Sequence, residues 1–369
     1  MNVVTRRTTT GTAAVPLALA LTLSLGLTAC GQDDSGKAAA SGNQTIGLLL
    51  PENASSTRYE AFDKPMIESS VAGLCTKCTV DYANADGDEA KQKRQFDALL
   101  AKGVKVIVLD PVNSKITAPW IEDASRQGTK VIAYDRLAAG NVAAYVSFDN
   151  ERTGQLQGQA LLDALGPKAA GAQIVMINGS ETDPNAVSFK AGAHNTLDGK
   201  VKSIGYEKWG EWKPAIAAQQ TNEAIRNLGK DNIQAVYAAN DGMAASVIDT
   251  LKAAGLKNIP VGGQDASIDA VRRVLSGEQA YTIYKPYKPE ADAAANIAVY
   301  VLKGLDVTSV ASAVTNSNGM RIPSILLTPI VVTKAKVAVT VIGGGLYKAA
   351  EICNEQYAEA CNTAGITVK

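Results

Sequence analysis

The sequence predicts an α/β protein with two similar lobes, each built on a doubly wound parallel sheet. Short β-rich apolar runs alternate with helical stretches from Gln44 onward, which is the pattern of βαβ units. The pattern occurs twice, and 369 residues exceed the usual size of a single domain. Polar residues follow most of the apolar runs, at the sheet edge where open parallel sheets bind ligands.

The first half of the chain supplies five expected strands. These are Thr45 to Leu50, Thr79 to Ala83, Val104 to Leu109, Lys130 to Tyr134 and Ala144 to Phe148. A helix is predicted between Asp88 and Gly103, because an acidic residue at the start and a glycine just past the end are the usual capping signals. We therefore expect these five strands to form one sheet.

The second half repeats the pattern after a helix predicted from Glu151 to Leu165. Its expected strands are Gln173 to Ile177, Val201 to Tyr206, Ile233 to Ala239, Ile259 to Gly262 and Ala280 to Tyr284. A helix from Pro289 to Leu302 and an apolar tail from Ile325 to Thr333 follow. The two halves predict two lobes of the same kind.

Residues 1–30 have the pattern of a lipoprotein signal peptide. Arg6 and Arg7 precede an apolar run from Ala13 to Ala29 that is short for a transmembrane helix. The run ends at Cys30 in the order Leu-Thr-Ala-Cys, which resembles a bacterial lipobox, so Cys30 is the expected lipidation site. Ordinary signal cleavage beside an incidental cysteine is the alternative, and the two arginines leave the export route open.

Residues 31–43 contain only small or polar residues and no large apolar one, which predicts a flexible tether. The mature fold is expected to begin at residue 44. The sequence thus predicts an extracytoplasmic protein that is held at the cell membrane by lipid alone.

Charge and composition exclude some partners. Lys and Arg together number 36, as do Asp and Glu, so no net field draws the chain to nucleic acid. The content of 46% hydrophobic and 5% aromatic residues is ordinary for a globular protein. A nucleic-acid partner is therefore not expected.

Four cysteines follow the lipobox, namely Cys75, Cys78, Cys353 and Cys361. An even number in an exported protein predicts two local disulfides, Cys75 to Cys78 and Cys353 to Cys361. Free buried thiols and a four-cysteine zinc site are the alternatives, although the spacing of the second pair is wide for zinc. We expect no metal.

The residues that end the apolar runs are acids, amides and two cations. They are Asp110, Asp135 with Arg136, Asp149 with Asn150, Asn178, Asn240 with Asp241, Gln264 with Asp265, and Lys285. Each one alone could be a helix N-cap or a loop residue. Together they predict a polar crevice that suits a neutral polyol, because carboxylates, amides and cations all exchange hydrogen bonds with hydroxyl groups.

Enzymatic and nucleotide sites are not indicated. The residues after the first strand, Pro51 to Ala54, lack the glycine-rich turn of a dinucleotide site, so no cofactor is expected. The single histidine, His194, lies in a helical stretch where a surface or packing role is expected. No nucleophile elbow is present and no carboxylate pair stands out. We expect a protein that is not an enzyme.

A family resemblance rests on several short motifs between Thr45 and Val332. They are Tyr134-Asp135-Arg136, Tyr145-Val146-Ser147-Phe148-Asp149-Asn150, Gly179-Ser180 with Asp183 and Asn185, Trp212, Ala239-Asn240-Asp241, Gly263-Gln264-Asp265 and Tyr284-Lys285-Pro286. On these motifs the chain resembles the periplasmic sugar-binding proteins of the type I fold, and within them the xylose-binding branch.

The resemblance implies a set of sugar-contacting residues. Hydrogen bonds to the sugar are expected from Arg58, Asp135, Arg136, Asp183, Asn185, Asn240, Asp265 and Lys285, and aromatic walls from Tyr59 and Trp212. Two positions depart from the xylose-binding pattern, since Tyr59 replaces a tryptophan and Pro184 interrupts an Asp-Asn-Asn run. These departures bear on which sugar is bound.

The resemblance also implies a role and an architecture. It implies the solute-binding lipoprotein of an ABC-type importer, a monomer that binds one monosaccharide, D-xylose or a related aldose, and presents its closed form to the permease subunits with their cytoplasmic ATPase. The expected lobes are 44–148 with 286–325 and 149–285 with 326–369, joined by three crossings near Asp149, Lys285 and Leu326.

Two other roles use the same fold. A sugar sensor would present the same closed form to a signalling receptor, and the sequence does not separate it from a transport protein. A LacI-like repressor would need a helix-turn-helix where this chain has its signal sequence, which excludes that role.

Overall fold

A computed structural model of the chain describes residues 44–368. The expected signal peptide, the tether and the lipidation site at Cys30 lie outside the described residues. The strands are β1 (Thr45–Leu50), β2 (Thr79–Asn84), β3 (Val106–Leu109), β4 (Lys130–Tyr134), β5 (Ala144–Phe148), β6 (Gln173–Asn178), β7 (Ser203–Trp209), β8 (Ala235–Ala238), β9 (Thr282–Tyr284), β10 (Ala313–Ser317), β11 (Met320–Leu327) and β12 (Ile330–Val332).

The helices alternate with these strands. They are α1 (Lys64–Leu74), α2 (Glu89–Ala101), α3 (Ala118–Arg126), α4 (Asn150–Leu165), α5 (Pro184–Leu197), α6 (Pro214–Leu228), α7 (Asp241–Ala253), α8 (Ile268–Ser276), α9 (Tyr287–Leu302), α10 (Ala349–Ile352) and α11 (Ala358–Thr363). Short 3₁₀ and π turns lie between them, including the π turn Tyr59–Asp63 that leads into α1.

The first lobe contains a seven-stranded sheet in the order β10-β11-β5-β4-β3-β1-β2. All neighbouring strands are parallel except β10 and β11, which form an antiparallel pair. The five expected strands are present, and β10 and β11 extend their sheet to seven. The sequence analysis missed this pair because β10 is nowhere fully buried and β11 buries only Ile322 and Ser324, so the pair forms no continuous apolar run.

The second lobe has a smaller central sheet in the order β7-β6-β8, and an antiparallel pair formed by β9 and β12. The prediction of a strand from Ile259 to Gly262 was wrong in extent, since only two isolated bridges form there, at Val261 and Gly262. The predicted strand from Ala280 to Tyr284 is shortened to β9. The type I fold of two α/β lobes is confirmed, although the second sheet is narrower than expected.

The chain passes three times between the two lobes. It leaves β5 and enters α4 at residues 148–150, returns from β9 to α9 at residues 284–287, and leaves β11 for β12 at residues 327–330. Each passage occurs at the carboxyl end of a strand. The passages therefore lie beside the loops that follow the other strands, where the two lobes face each other.

Apolar side chains cover both faces of the seven-stranded sheet. Ile67 of α1 and Ala294 of α9 pack on one face, and Phe96 of α2 and Trp120 of α3 pack on the other. Full burial of a large apolar side chain contributes roughly 1.5–3 kcal/mol. Many of the polar side chains inside the fold, such as Asp110, Asp135 and Lys285, lie just beyond the carboxyl ends of strands.

Helices that follow the strands start at polar N-caps beside the interlobe space. Asp149 accepts from the backbone N–H of Arg152, Asp183 accepts from that of Asn185, and Asn240 accepts from that of Met243. Each cap stabilises its helix by about 1 kcal/mol. These strand-end residues therefore have a structural task whether or not they also contact a ligand.

Two disulfides and one finding about membrane spans complete the fold. The structure joins Cys75 to Cys78 at the end of α1, and Cys353 to Cys361 beside α11. Across residues 44–368, no helix combines the length and the apolar character needed to cross a membrane.

Candidate functional site

A cavity lies between the two lobes at the carboxyl ends of their strands. The space that no atom fills there is about 300 Å³, including open solvent at its mouth. Its lining residues are Glu52, Ser55, Ser56, Tyr59, Asp135, Arg136, Asp183, Asn185, Phe189, Trp212, Asn240, Gln264, Asp265 and Lys285. Nine of the ten residues that the sequence analysis proposed as sugar contacts are among them. Arg58 is the exception.

Asp135 is the centre of the wall formed by the first lobe. It follows β4 with a φ of 52°, and its carboxylate accepts from Arg58 at 3.2 Å and lies 3.9 Å from the Lys285 ammonium. Burial alone would raise the pKa of Asp135, but Lys285, Arg58 and Arg136 outweigh burial and hold it below its usual range. Asp135 is therefore an ionised acceptor at neutral pH.

Arg58 lies one layer behind the cavity, so its predicted direct contact with the ligand needs correction. Its guanidinium bonds to Asp63 at 2.6 and 2.8 Å, to Glu290 at 2.6 Å and to Asp135 at 3.2 Å. Only 2% of Arg58 is exposed. Because these carboxylates occupy its donors, Arg58 braces Asp135 from behind.

The cluster around Arg58 holds more acids than cations. Arg58 and Lys285 face four carboxyl groups, namely Asp63, Asp135, Asp265 and Glu290. Burial, together with Asp135 and Asp63, raises the pKa of Glu290 to about 8, although Arg58 and Lys285 lower it. Glu290 is therefore the acid in this cluster that keeps its proton at neutral pH.

Lys285 and Asp265 form an ion pair inside the cavity. The Lys285 Nζ lies 3.1 Å from an Asp265 carboxylate oxygen, and both side chains are less than a tenth exposed. Burial lowers the pKa of Lys285, but Asp265 and Asp135 more than compensate and raise it above its usual value. Lys285 is thus a charged donor that lies beside the Asp265 carboxyl group and the passage at residues 284–287.

A second ion pair joins the lobes through Arg136 and Asp183. The Arg136 Nε lies 3.0 Å from an Asp183 oxygen, and the Trp212 Nε1–H donates to the same oxygen at 3.0 Å. Burial raises the pKa of Asp183 above its usual value, although Arg136 partly offsets this effect. The backbone φ of Trp212 is 51°, and its ring lies at the cavity wall beside this pair.

Asn185 and Asn240 make direct contacts across the interlobe space. The Asn185 amide donates to the Asp135 backbone carbonyl at 2.9 Å, and the Asn240 amide donates to the backbone carbonyl and hydroxyl of Ser55 at 3.2 and 3.0 Å. The lobes are therefore in contact, and the structure is a closed form.

Five lining residues were missed as ligand contacts. Four of them, Glu52, Ser55, Ser56 and Phe189, lie in loop or helix positions that carry no motif. The fifth, Gln264, was noted only as a strand-end residue, yet its Oε1 accepts no hydrogen bond from the described residues although only 2% of the residue is exposed. A hydroxyl donor would satisfy this acceptor, as buried polar atoms require.

A larger groove on the second lobe does not combine residues of both lobes. Its lining runs from Ala164 through Leu251 and Lys257 to Ala280, all within the second lobe. Lobe closure cannot enclose a ligand there. Among the described residues, no group of three or more potential metal ligands is present either.

Comparisons with known proteins agree with this geometry. A family profile described as a periplasmic binding protein domain matches residues 46–306. The D-xylose-binding periplasmic protein of Escherichia coli (strain K12) is 34% identical over 79% of this chain and 87% of its own length. The multiple sugar-binding periplasmic receptor ChvE of Rhizobium radiobacter is 32% identical over 84% of this chain and 92% of its own.

A solved structure shows the same arrangement. The carbohydrate transporter solute-binding protein from Chloroflexus aurantiacus in complex with D-glucose has a TM-score of 0.74 and 26% identity, and it covers 84% of this chain and 98% of its own.

Proposed function

The chain belongs to the type I periplasmic sugar-binding proteins of ABC-type transport, and on this premise we propose that it is a lipid-anchored receptor for D-xylose or a closely related aldose. The observation that carries the proposal is the interlobe cavity, in which charged donors and acceptors of both lobes converge beside Trp212 and Tyr59. Such a wall matches the hydroxyl groups of a sugar, and a flat aromatic side chain matches the apolar face of its ring.

Binding in this cavity replaces the hydrogen bonds between the sugar and water by hydrogen bonds between the sugar and the protein, and no covalent bond changes. Each sugar hydroxyl loses water on entry, and an unmatched buried polar group costs about 1–3 kcal/mol. Asp135 and Lys285 keep full charges, so their bonds to hydroxyl groups are charge-assisted. A micromolar dissociation constant requires only about 8 kcal/mol in total.

The identity of the sugar is tested by a thermal-shift screen followed by calorimetry. We expect D-xylose to raise the unfolding temperature and to bind more tightly than D-ribose, D-glucose and D-galactose, because a ligand that binds only the folded state stabilises it. If none of these aldoses shifts the unfolding temperature, the proposed ligand class is wrong.

The binding residues are tested by a matched pair of variants. Asp265→Ala is expected to weaken D-xylose binding by about 2 kcal/mol, since a charge-assisted acceptor is lost inside the cavity. Asp269→Ala is the control, because Asp269 is an exposed aspartate on α8 that pairs with Arg272 outside the cavity. Equal affinities in the two variants would place the sugar elsewhere.

The lipid anchor is tested separately. Cys30 ends a sequence that resembles a lipobox, and Cys30→Ser is expected to move the protein from the membrane fraction to the soluble one. Unchanged membrane association would exclude lipidation at Cys30.

A sugar-sensing role is the second candidate, and the similarity to a protein named as a multiple sugar-binding receptor favours it. A transport protein is required for uptake of labelled sugar by the cell, whereas a sensor is required for a response to external sugar. Deletion followed by both assays separates the two roles.

A further inference from the structure

Asp110 is a buried carboxyl group that no proposed ligand contact explains. It follows β3 in the first lobe and is 0% exposed, but it does not line the interlobe cavity. Neither of its carboxylate oxygens accepts a hydrogen bond from the described residues. A buried carboxyl group without a donor is costly and requires an explanation.

The nearest cation to Asp110 is already paired with another carboxylate. The Arg136 Nε lies 3.6 Å from Asp110, beyond hydrogen-bond distance, but 3.0 Å from Asp183. The other Arg136 nitrogens donate to the Pro111 carbonyl at 3.1 Å and to the Tyr59 hydroxyl at 3.5 Å. Asp183 is therefore the nearer ion-pair partner of the Arg136 guanidinium, and Asp110 is left without a donor.

The two carboxylates differ in which lobe they belong to. Asp110 and Arg136 follow β3 and β4, which are neighbours in the first sheet, so they stay together when the lobes separate. Asp183 precedes α5 in the second lobe and would move away from Arg136 on opening. A shift of about half an ångström brings the Nε of Arg136 to an ordinary hydrogen-bond distance from Asp110.

We propose that Asp110 is a positioning residue that holds Arg136 in the open form and gives it up to Asp183 when the lobes close. Closure then gains the Arg136–Asp183 pair across the cleft but leaves Asp110 buried without a donor. This opposing cost keeps the sugar-free protein open and sets the balance between the two forms. The inference rests on the proposed function, since it concerns closure around the same cavity.

The test is the compactness of the protein without sugar, measured by small-angle scattering. Asp110→Asn keeps the size of the side chain but cannot form an ion pair with Arg136 in the open form, so we expect a smaller radius of gyration than in the wild type. D-xylose should then bind about tenfold more tightly, because a larger fraction of the protein is already competent to bind. Asp110→Ser is a second variant of the same kind, and thermal unfolding monitored by circular dichroism shows that both are folded.

Asp183→Asn supplies the control background. It removes the carboxylate that receives Arg136 on closure, so Asp110→Asn should produce a much smaller change in the radius of gyration there. Such non-additivity is the signature of two residues that compete for one donor. The proposal is wrong if Asp110→Asn changes the radius of gyration equally in the wild-type and Asp183→Asn backgrounds. It is also wrong if the folded Asp110→Asn and Asp110→Ser proteins have the same radius of gyration as the wild type. Since scattering needs no sugar, failure of D-xylose to bind would refute the proposed ligand and leave this test intact.

Discussion

Gly242 lies where the two lobes approach each other closely. A side-chain carbon added at Gly242 would lie 2.2 Å from the backbone carbonyl oxygen of Ser55 on the opposite lobe. Ordinary non-bonded contacts are about 3.5 Å or longer, so Gly242→Ala forces the lobes apart by about 1 Å at this point. Gly242 is in the first turn of α7, where alanine is otherwise favourable.

The expected loss of affinity follows from the contacts beside Gly242. Asn240 donates to Ser55 at 3.2 and 3.0 Å, and an extra 1 Å breaks both bonds. At about 1 kcal/mol for each bond, the closed form loses about 2 kcal/mol. The dissociation constant for D-xylose should therefore rise by roughly 30-fold.

Calorimetry with D-xylose and scattering without sugar measure this effect. Gly73→Ala is the matched control, since a side-chain carbon at Gly73 in α1 meets nothing within 4 Å. Thermal stability of the sugar-free Gly242→Ala protein should not fall, because its open form has no clash. If Gly242→Ala binds D-xylose like Gly73→Ala and closes to the same extent, closure does not depend on the contact between Ser55 and α7.

Three more outcomes are expected. Trp212→Ala should weaken D-xylose binding by roughly 2–4 kcal/mol, as truncation of a buried aromatic anchor does. If calorimetry gives a dissociation constant within twofold of the wild-type value, Trp212 packs against the protein and does not contact the sugar. The unfolded chain loses the Glu290 proton near pH 4.5, whereas the folded chain keeps it to about pH 8. Wild-type stability should therefore fall relative to Glu290→Gln between these values and level off above pH 8, in denaturant titrations; a constant difference would contradict the raised pKa. Mass spectrometry should find the native protein lighter than the reduced protein by four hydrogens, because each of the two disulfides forms with the loss of two hydrogens. Four alkylatable thiols in the native protein would exclude both disulfides.

The sequence predicted the first sheet well because its strands are continuous apolar runs. The bounds of β1, β4 and β5 agree with the predicted ones. The hairpin of β10 and β11 escaped prediction because it is half-exposed, so neither an apolar run nor a strict alternation marks it. The run from Ile259 to Gly262 is apolar, but it pairs through single bridges only.

Predicted site residues that follow a strand line the cavity, whereas the place of Arg58 depends on its depth in the fold. Asp135, Asp265 and Lys285 follow strands or strand-like runs and line the cavity. The family resemblance implies that Arg58 contacts the ligand, yet three carboxyl groups that are remote from one another in sequence hold its guanidinium behind the wall. The partners of Arg58 depend on tertiary packing, which no spacing in the sequence records.

The ion pairs that line the closed cavity bear on selectivity. Arg136 is paired with Asp183, and Lys285 is paired with Asp265, so a sugar gains only the difference between its own bonds and the interactions it replaces. A hydroxyl group that binds without separating an ion pair adds affinity. A hydroxyl group that separates an ion pair must give the carboxyl group a donor and the cation an acceptor in return. A hydroxyl group does both, but a methyl or deoxy carbon does neither. Where the sugar opens an ion pair, a position without its hydroxyl group leaves two buried charges partly unmatched. Deoxy sugars should therefore lose more affinity at positions that face these pairs than at positions that face only the unpaired Gln264 Oε1. Calorimetry with a series of monodeoxy analogues of D-xylose tests this ordering, and equal losses at every position would show that the ion pairs do not open for the sugar.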